Sequence, residues 1–113
     1  MAARLDTQTL VSALIRRVNG AGGVATVLHK GDPSGGIILV QLLDRGRFGT
    51  VLERMIDLSG RQTLVHCGPK KDSQDTEISD YIARRKRADP DLWLVELDVA
   101  DGERFAAETL CSS

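Results

Sequence analysis

Between Val24 and Cys67 four apolar runs follow one another with only short separators: 24–29 (VATVLH), 37–43 (IILVQLL), 47–56 (RFGTVLERMI) and 62–67 (QTLVHC). A parallel pair of strands needs a crossover of about a dozen residues or more, so runs joined this closely must pair antiparallel. The separators carry turn chemistry. Asp32-Pro-Ser-Gly35 has Asp, Pro and Gly where a type I turn favours them, and Asp57-Leu-Ser-Gly60 repeats the Asp and Gly. Asp44-Arg-Gly-Arg47 is a short glycine-containing connection. The pattern predicts a four-stranded meander. Run 37–43 is apolar on both faces and suits a central position. Thr50 to Ile56 fits a strand or one or two helical turns, and Gly49 is placed to mark a bulge.

Two helices flank this region. In the first, 6–20 (DTQTLVSALIRRVNG), Leu10, Leu14 and Val18 recur at helical spacing with Val11 and Ile15 beside them. Asp6 or Thr7 can cap it, Arg16 and Arg17 suit the negative end of its dipole, and Gly20 is placed for a left-handed exit. The second runs from Ser73 to Ala88, with Asp72 or Ser73 as cap. Ile78, Tyr81, Ile82 and Arg85 share one face, with acids at its start and bases at its end. Pro90 pushes Asp89 out of the helical region and ends it there. Then 92–98 (LWLVELD) alternates, with Trp93, Val95 and Leu97 on one face and Leu94, Glu96 and Asp98 on the other. That spacing predicts a fifth strand at or near a sheet edge.

The expected order is α-β-β-β-β-α-β, an α+β fold with an antiparallel sheet of about five strands and two helices packed on one face. At 113 residues the chain has room for one domain. Its ordered core is expected over about 6–106, with a frayed tail from about 107 to 113.

Fifteen basic side chains against sixteen acidic ones leave a net charge of -1, so no global field draws the protein to nucleic acid or an anionic surface. Leu10 to Ile15 is interrupted by Ser12 and closed by Arg16-Arg17, too short for a secretory core or a membrane span. Cys67 and Cys111 make no disulfide framework and fit a reducing cytoplasm.

Chemical motifs are sparse. Neither G-x-x-x-x-G-K-[ST] nor G-x-G-x-x-G occurs, Gly20-Ala-Gly-Gly23 follows a helix rather than a strand, and no helix follows Lys30-Gly-Asp-Pro-Ser-Gly-Gly36 to hold an anion. His66 and Cys67 are adjacent, so on a strand they point to opposite faces and cannot grip one metal ion together. His29 could join either of them, as a ligand or as a base for the thiol, but a structural histidine and a small buried thiol explain the same residues. No metal, cofactor or catalytic residue is assigned.

Arg84-Arg85-Lys86-Arg87 is the densest basic run. Consecutive helical positions spread about 100° apart around the axis, so the run cannot form one flat patch, and the helix dipole accounts for it. With Arg16 and Arg17 it could form an anion site only if the two helix ends lie together. Trp93, Asp91 and Arg85 are the candidates to line a pocket near the Asp89-Pro-Asp-Leu-Trp93 turn, although the alternation places Trp93 in the core.

Three stretches carry a family resemblance: Ala13-Leu-Ile-Arg-Arg17, His29-Lys-Gly-Asp-Pro-Ser-Gly-Gly-Ile37 and Asp89-Pro-Asp-Leu-Trp-Leu-Val-Glu96. Through them the chain resembles, over nearly its full length, the family called domain of unknown function 1491, a group of small bacterial proteins. The middle third departs from the pattern, so the assignment of 47–72 rests on its residues alone. The resemblance implies no activity, cofactor or partner. From the residues, the expected role is a small cytoplasmic, non-catalytic binding or assembly module that dimerises through a sheet edge, either 24–29 or 92–98. The alternatives are a small-molecule binder or enzyme with a pocket near the DPDLW turn, and a weak nucleic-acid binder through the arginines at the two helix ends. Nucleic acid and membrane are not expected partners.

Overall fold

The computed structural model describes residues 6–44, 47–70 and 75–111. The elements are α1 (Thr7–Gly20), β1 (Val24–His29), β2 (Ile38–Asp44), β3 (Arg47–Ile56), β4 (Gln62–Cys67), α2 (Asp75–Ala88), β5 (Trp93–Asp98) and α3 (Gly102–Leu110). They form an α+β fold with one five-stranded sheet in the order β1-β5-β2-β3-β4.

Three neighbouring strands are the expected meander: β2, β3 and β4 pair antiparallel in sequence order. The ambiguous 47–56 run is a strand. Leu42 pairs with Thr50 and Leu43 with Phe48, so Gly49 is skipped and marks the bulge. At the next turn Asp57 Oδ1 accepts the backbone N–H groups of Ser59 and Arg61, both at 2.9 Å, and Gly60 takes a φ of +86°.

The other two strands depart from expectation. β1 does not pair with β2. Instead β5 enters between them, antiparallel to β1 and parallel to β2, so the sheet is mixed. Burial supplies the reason. Trp93, Leu94, Val95 and Leu97 are all at most 3% exposed, an inventory that stabilises an interior strand and would be wasted at an edge. The connection from Lys30 to Ile37 is long enough to step across two strand spacings, about 10 Å. Because β4 and β5 both run parallel to β2, the link between them is a helical crossover, and α2 supplies it.

That crossover also corrects the helix layout. Leu10, Val11, Leu14 and Val18 of α1 pack with Ile38, Val40, Leu52, Trp93, Val95 and Leu97 on one side of the sheet. Ile78 and Ile82 of α2 pack with Leu39, Val51, Leu92 and Leu94 on the other. The helices therefore cover both faces, not one. A third helix stands where a frayed tail was expected. Ala106 and Leu110 of α3 are fully buried in the α1 cluster, Arg17 pairs with Glu108 and stacks 5.2 Å from the Phe105 ring, and Arg54 Nε donates to the Leu110 carbonyl at 2.8 Å. The last contact satisfies a carbonyl that the helix end leaves orphaned.

Local signals at α1 resolve as well. Asp6 is its cap, accepting from Thr9 N at 2.8 Å, while Thr7 is buried. The positive φ at the exit belongs to Gly22, at +87°, rather than to Gly20, which is still helical. The candidate caps of α2, Asp72 and Ser73, lie outside the described residues. Among the described residues no helix is long and apolar enough to cross a membrane.

Candidate functional site

The two proline-bearing stretches singled out in the sequence meet. Asp32 N donates to the Asp91 carbonyl at 2.9 Å, and Trp93 N donates to the Ile37 carbonyl at 2.7 Å. The indole Nε1 of Trp93 donates to the Asp32 carbonyl at 2.8 Å, and His29 Nδ1 lies 2.8 Å from the Leu92 carbonyl. The backbones run so close that a Cβ on Gly31 or Gly36 would fall well under 3.0 Å from Asp91 O. Pro33 O accepts from Gln8 N at 3.0 Å, which ties the clasp to the start of α1. Trp93 is 3% exposed, and its one polar atom is used inside the fold. Of the three residues assigned to a pocket at this turn, Trp93 and the Asp91 backbone hold the clasp together, and only the Asp91 side chain faces outward.

Arg85, the third, is committed elsewhere. It pairs with Glu53 of β3 at 2.9 Å and donates to the Tyr81 hydroxyl at 2.7 Å. Glu53 and Arg85 are only 16% and 25% exposed, so the pair is shielded and holds α2 against the sheet. Tyr81 and the Cys67 thiol pack against the same core cluster. Burial pushes that thiol above its ordinary value of 9.0, with the Glu53 carboxylate adding to the effect. Cys111 is raised too, by burial. A thiol held protonated is a poor nucleophile. We expect iodoacetamide to label neither cysteine of the native protein faster than free cysteine at pH 7, with the rate rising only in alkaline solution; rapid labelling of Cys67 at neutral pH contradicts this environment. The sign for stability follows. The fold favours the protonated thiols, so their contribution is complete below pH 9 and declines as pH rises through the elevated values.

The remaining candidates do not converge. Arg16 and Arg84 are exposed, Arg17 is taken by Glu108, and α1 and α2 lie on opposite faces of the sheet. The arginines at the two helix ends therefore share no surface, and the anion site they would form together is absent from this fold. His29 is on β1 and Cys67 on β4, at opposite edges of the sheet. Cys67 packs toward α2, whereas His66 reaches Glu103 of α3 at 3.4 Å on the other face. Among the described residues no group of three or more His, Cys, Asp or Glu side chains could hold a metal ion.

What the sheet does offer is an open edge. β1 pairs only with β5, and four of its six residues are exposed. Val24 is 59%, Val27 37% and Leu28 47% exposed. The strand (VATVLH) has neither the lysine nor the proline that commonly blunts an edge. Leu28 slips out of register between Val27 and His29, which leaves Val24 to Val27 as the regular part. Sequence reasoning named this edge but missed Glu53, which lies in the run whose secondary structure was ambiguous.

The comparisons with known proteins agree with the fold. Residues 5–107 match the family model described as protein of unknown function, DUF1491. The chain is similar to a crystal structure of a DUF1491 family protein from Caulobacter crescentus CB15, at 32% identity and a TM-score of 0.79, covering 90% of this chain and 94% of that one. An NMR structure of a DUF1491 family protein from the same organism gives 33% identity, a TM-score of 0.76 and coverage of 92% and 94%. A solution structure of a protein from A. tumefaciens gives 30% identity, a TM-score of 0.72 and coverage of 96% and 93%. No curated protein matches the chain.

Proposed function

The chain belongs to the DUF1491 family of proteins of unknown function, and on that premise we propose that it is a non-catalytic binding or assembly module that pairs with a second copy of itself along β1. The unblunted edge of β1 carries this reading. Apart from the Ala25 N–H, which donates to Asn19 Oδ1 at 3.3 Å, the outward backbone groups of Val24 to Val27 have no strand beside them and, bordered by exposed valines, form a template for another strand. A two-fold axis at that edge would set β1 against itself, a closed arrangement in which each copy satisfies the other. The shielded thiols, each in a separate core cluster, suit a reducing compartment such as the cytoplasm.

The test is sedimentation over a wide concentration range. A concentration-dependent dimer is expected, and Val24→Lys with Val27→Lys should weaken it at least tenfold while the monomer stays folded. Lysines facing their symmetry mates across the axis repel, and lysine is the residue natural edges use for this purpose. A chain that stays monomeric into the hundreds of micromolar, or a dimer indifferent to the two lysines, overturns the reading.

A further inference from the structure

On the α2 side of the sheet, one row of residues runs Thr26, Glu96, Gln41, Val51 and Cys67 across the five strands. α2 covers part of this face. Between it and strands β1, β5 and β2 lies a cleft of about 300 Å³, at the small end of the range for ligand sites. Its apolar walls are Leu28 and Leu94 from the sheet and Ile78 and Ile82 from the helix.

Three polar side chains face the same space. Gln41 is 4% exposed and lies on the cleft floor, one polar side chain in an otherwise aliphatic run. An apolar side chain would continue the wall formed by its neighbours, so the amide places a polar group on the floor of an apolar cleft. Glu96 lies beside it in register and is half-buried. Lys86 projects from α2 over the same cleft and is also half-buried. Among the described residues Glu96 and Lys86 form no ion pair, with each other or with any third group. Two opposite charges and an amide thus border one small apolar space. A ligand with an ammonium and a carboxylate would meet an opposite charge at both ends.

We propose that this cleft binds a small zwitterion with an aliphatic side chain, of the chemistry of a branched-chain amino acid. Its ammonium lies between the Gln41 amide oxygen and the Glu96 carboxylate, its carboxylate meets Lys86, and its side chain fills the space between Leu28, Leu94, Ile78 and Ile82. The site adjoins β1 through Leu28, whereas Val27 lies on the opposite face of the sheet with Val95.

The probes are L-leucine, 3-methylbutylamine and 3-methylbutanoate, titrated into the isotopically labelled full chain and followed by amide shifts. Saturable shifts around Gln41, Glu96 and Ile82 are expected with leucine, at an affinity at least tenfold above either half-molecule. Glu96→Gln should weaken leucine binding at least tenfold. Ala83→Phe, on the exposed side of α2 at the cleft, should block it with the melting temperature unchanged, so the test survives if the sheet variant folds poorly. No saturable response to leucine at tens of millimolar, equal affinity for the three probes, or full binding by Ala83→Phe overturns the proposal.

Discussion

Replacing Gly31 with alanine is expected to destabilise the protein by about 3–5 kcal/mol, the range reserved for a few severe mechanisms. The cause is a backbone collision. The added methyl would lie well under 3.0 Å from the Asp91 carbonyl oxygen and almost as close to the Leu92 carbonyl, none of which is a flexible side-chain end that could swing away. The two loops would have to part. Parting them breaks Asp32 N to Asp91 O and Trp93 Nε1 to Asp32 O, and withdraws the indole from its buried position. Gly35 provides the control. It lies four residues on, a methyl there meets nothing within 4 Å, and its φ is not left-handed, so Gly35→Ala should stay within about 0.5 kcal/mol of the parent. Urea unfolding of both variants decides the matter: equal midpoints mean that the clasp is not a structural necessity.

The second large effect is expected at Leu110. Leu110→Ala should cost about 2–5 kcal/mol, as for other leucines truncated in a close-packed interior. The side chain is fully buried with Ala106 against α1 and the sheet, and the Leu110 carbonyl receives Arg54 Nε. If the C-terminal segment were frayed, the same substitution would change nothing measurable. Thermal unfolding therefore separates a docked α3 from a loose tail in one experiment. A loss below about 0.5 kcal/mol would contradict the packing described here.

The clasp at Gly31 shows how two of the family's motifs are to be understood. Asp89-Pro-Asp-Leu-Trp93 and Lys30-Gly-Asp-Pro-Ser-Gly-Gly36 look like ligand loops when read separately, since glycines, aspartates and an aromatic are what such loops contain. In the fold each is the other's partner. The glycines are small because a backbone passes over them, and the tryptophan's N–H is spent on Asp32. The polar groups that border the cleft lie on the sheet floor and the adjoining helix, at Gln41, Glu96 and Lys86, where no motif drew attention to them. Gln41 sits inside the apolar run IILVQLL, and in a linear reading it is one polar letter among aliphatics. Its significance depends on Glu96, which follows it by 55 positions and becomes its neighbour only through the β2–β5 pairing.

Local chemistry written along the chain was enough to mark out α1, α2 and most of the strands, but not α3. The Asp6 cap and the 3.6-residue spacing specify α1, Pro90 closes α2, Asp57 and Gly60 turn β3 into β4, and Gly49 marks the bulge; each signal acts within a few residues. The order of strands, the face each helix covers and the docking of α3 were decided only by tertiary packing. β5 displaces β1 from β2 because burying Trp93, Leu94, Val95 and Leu97 between two strands and two helix layers removes more apolar surface from water than any edge position could. That comparison is between whole arrangements of the chain, and no short window of residues contains it.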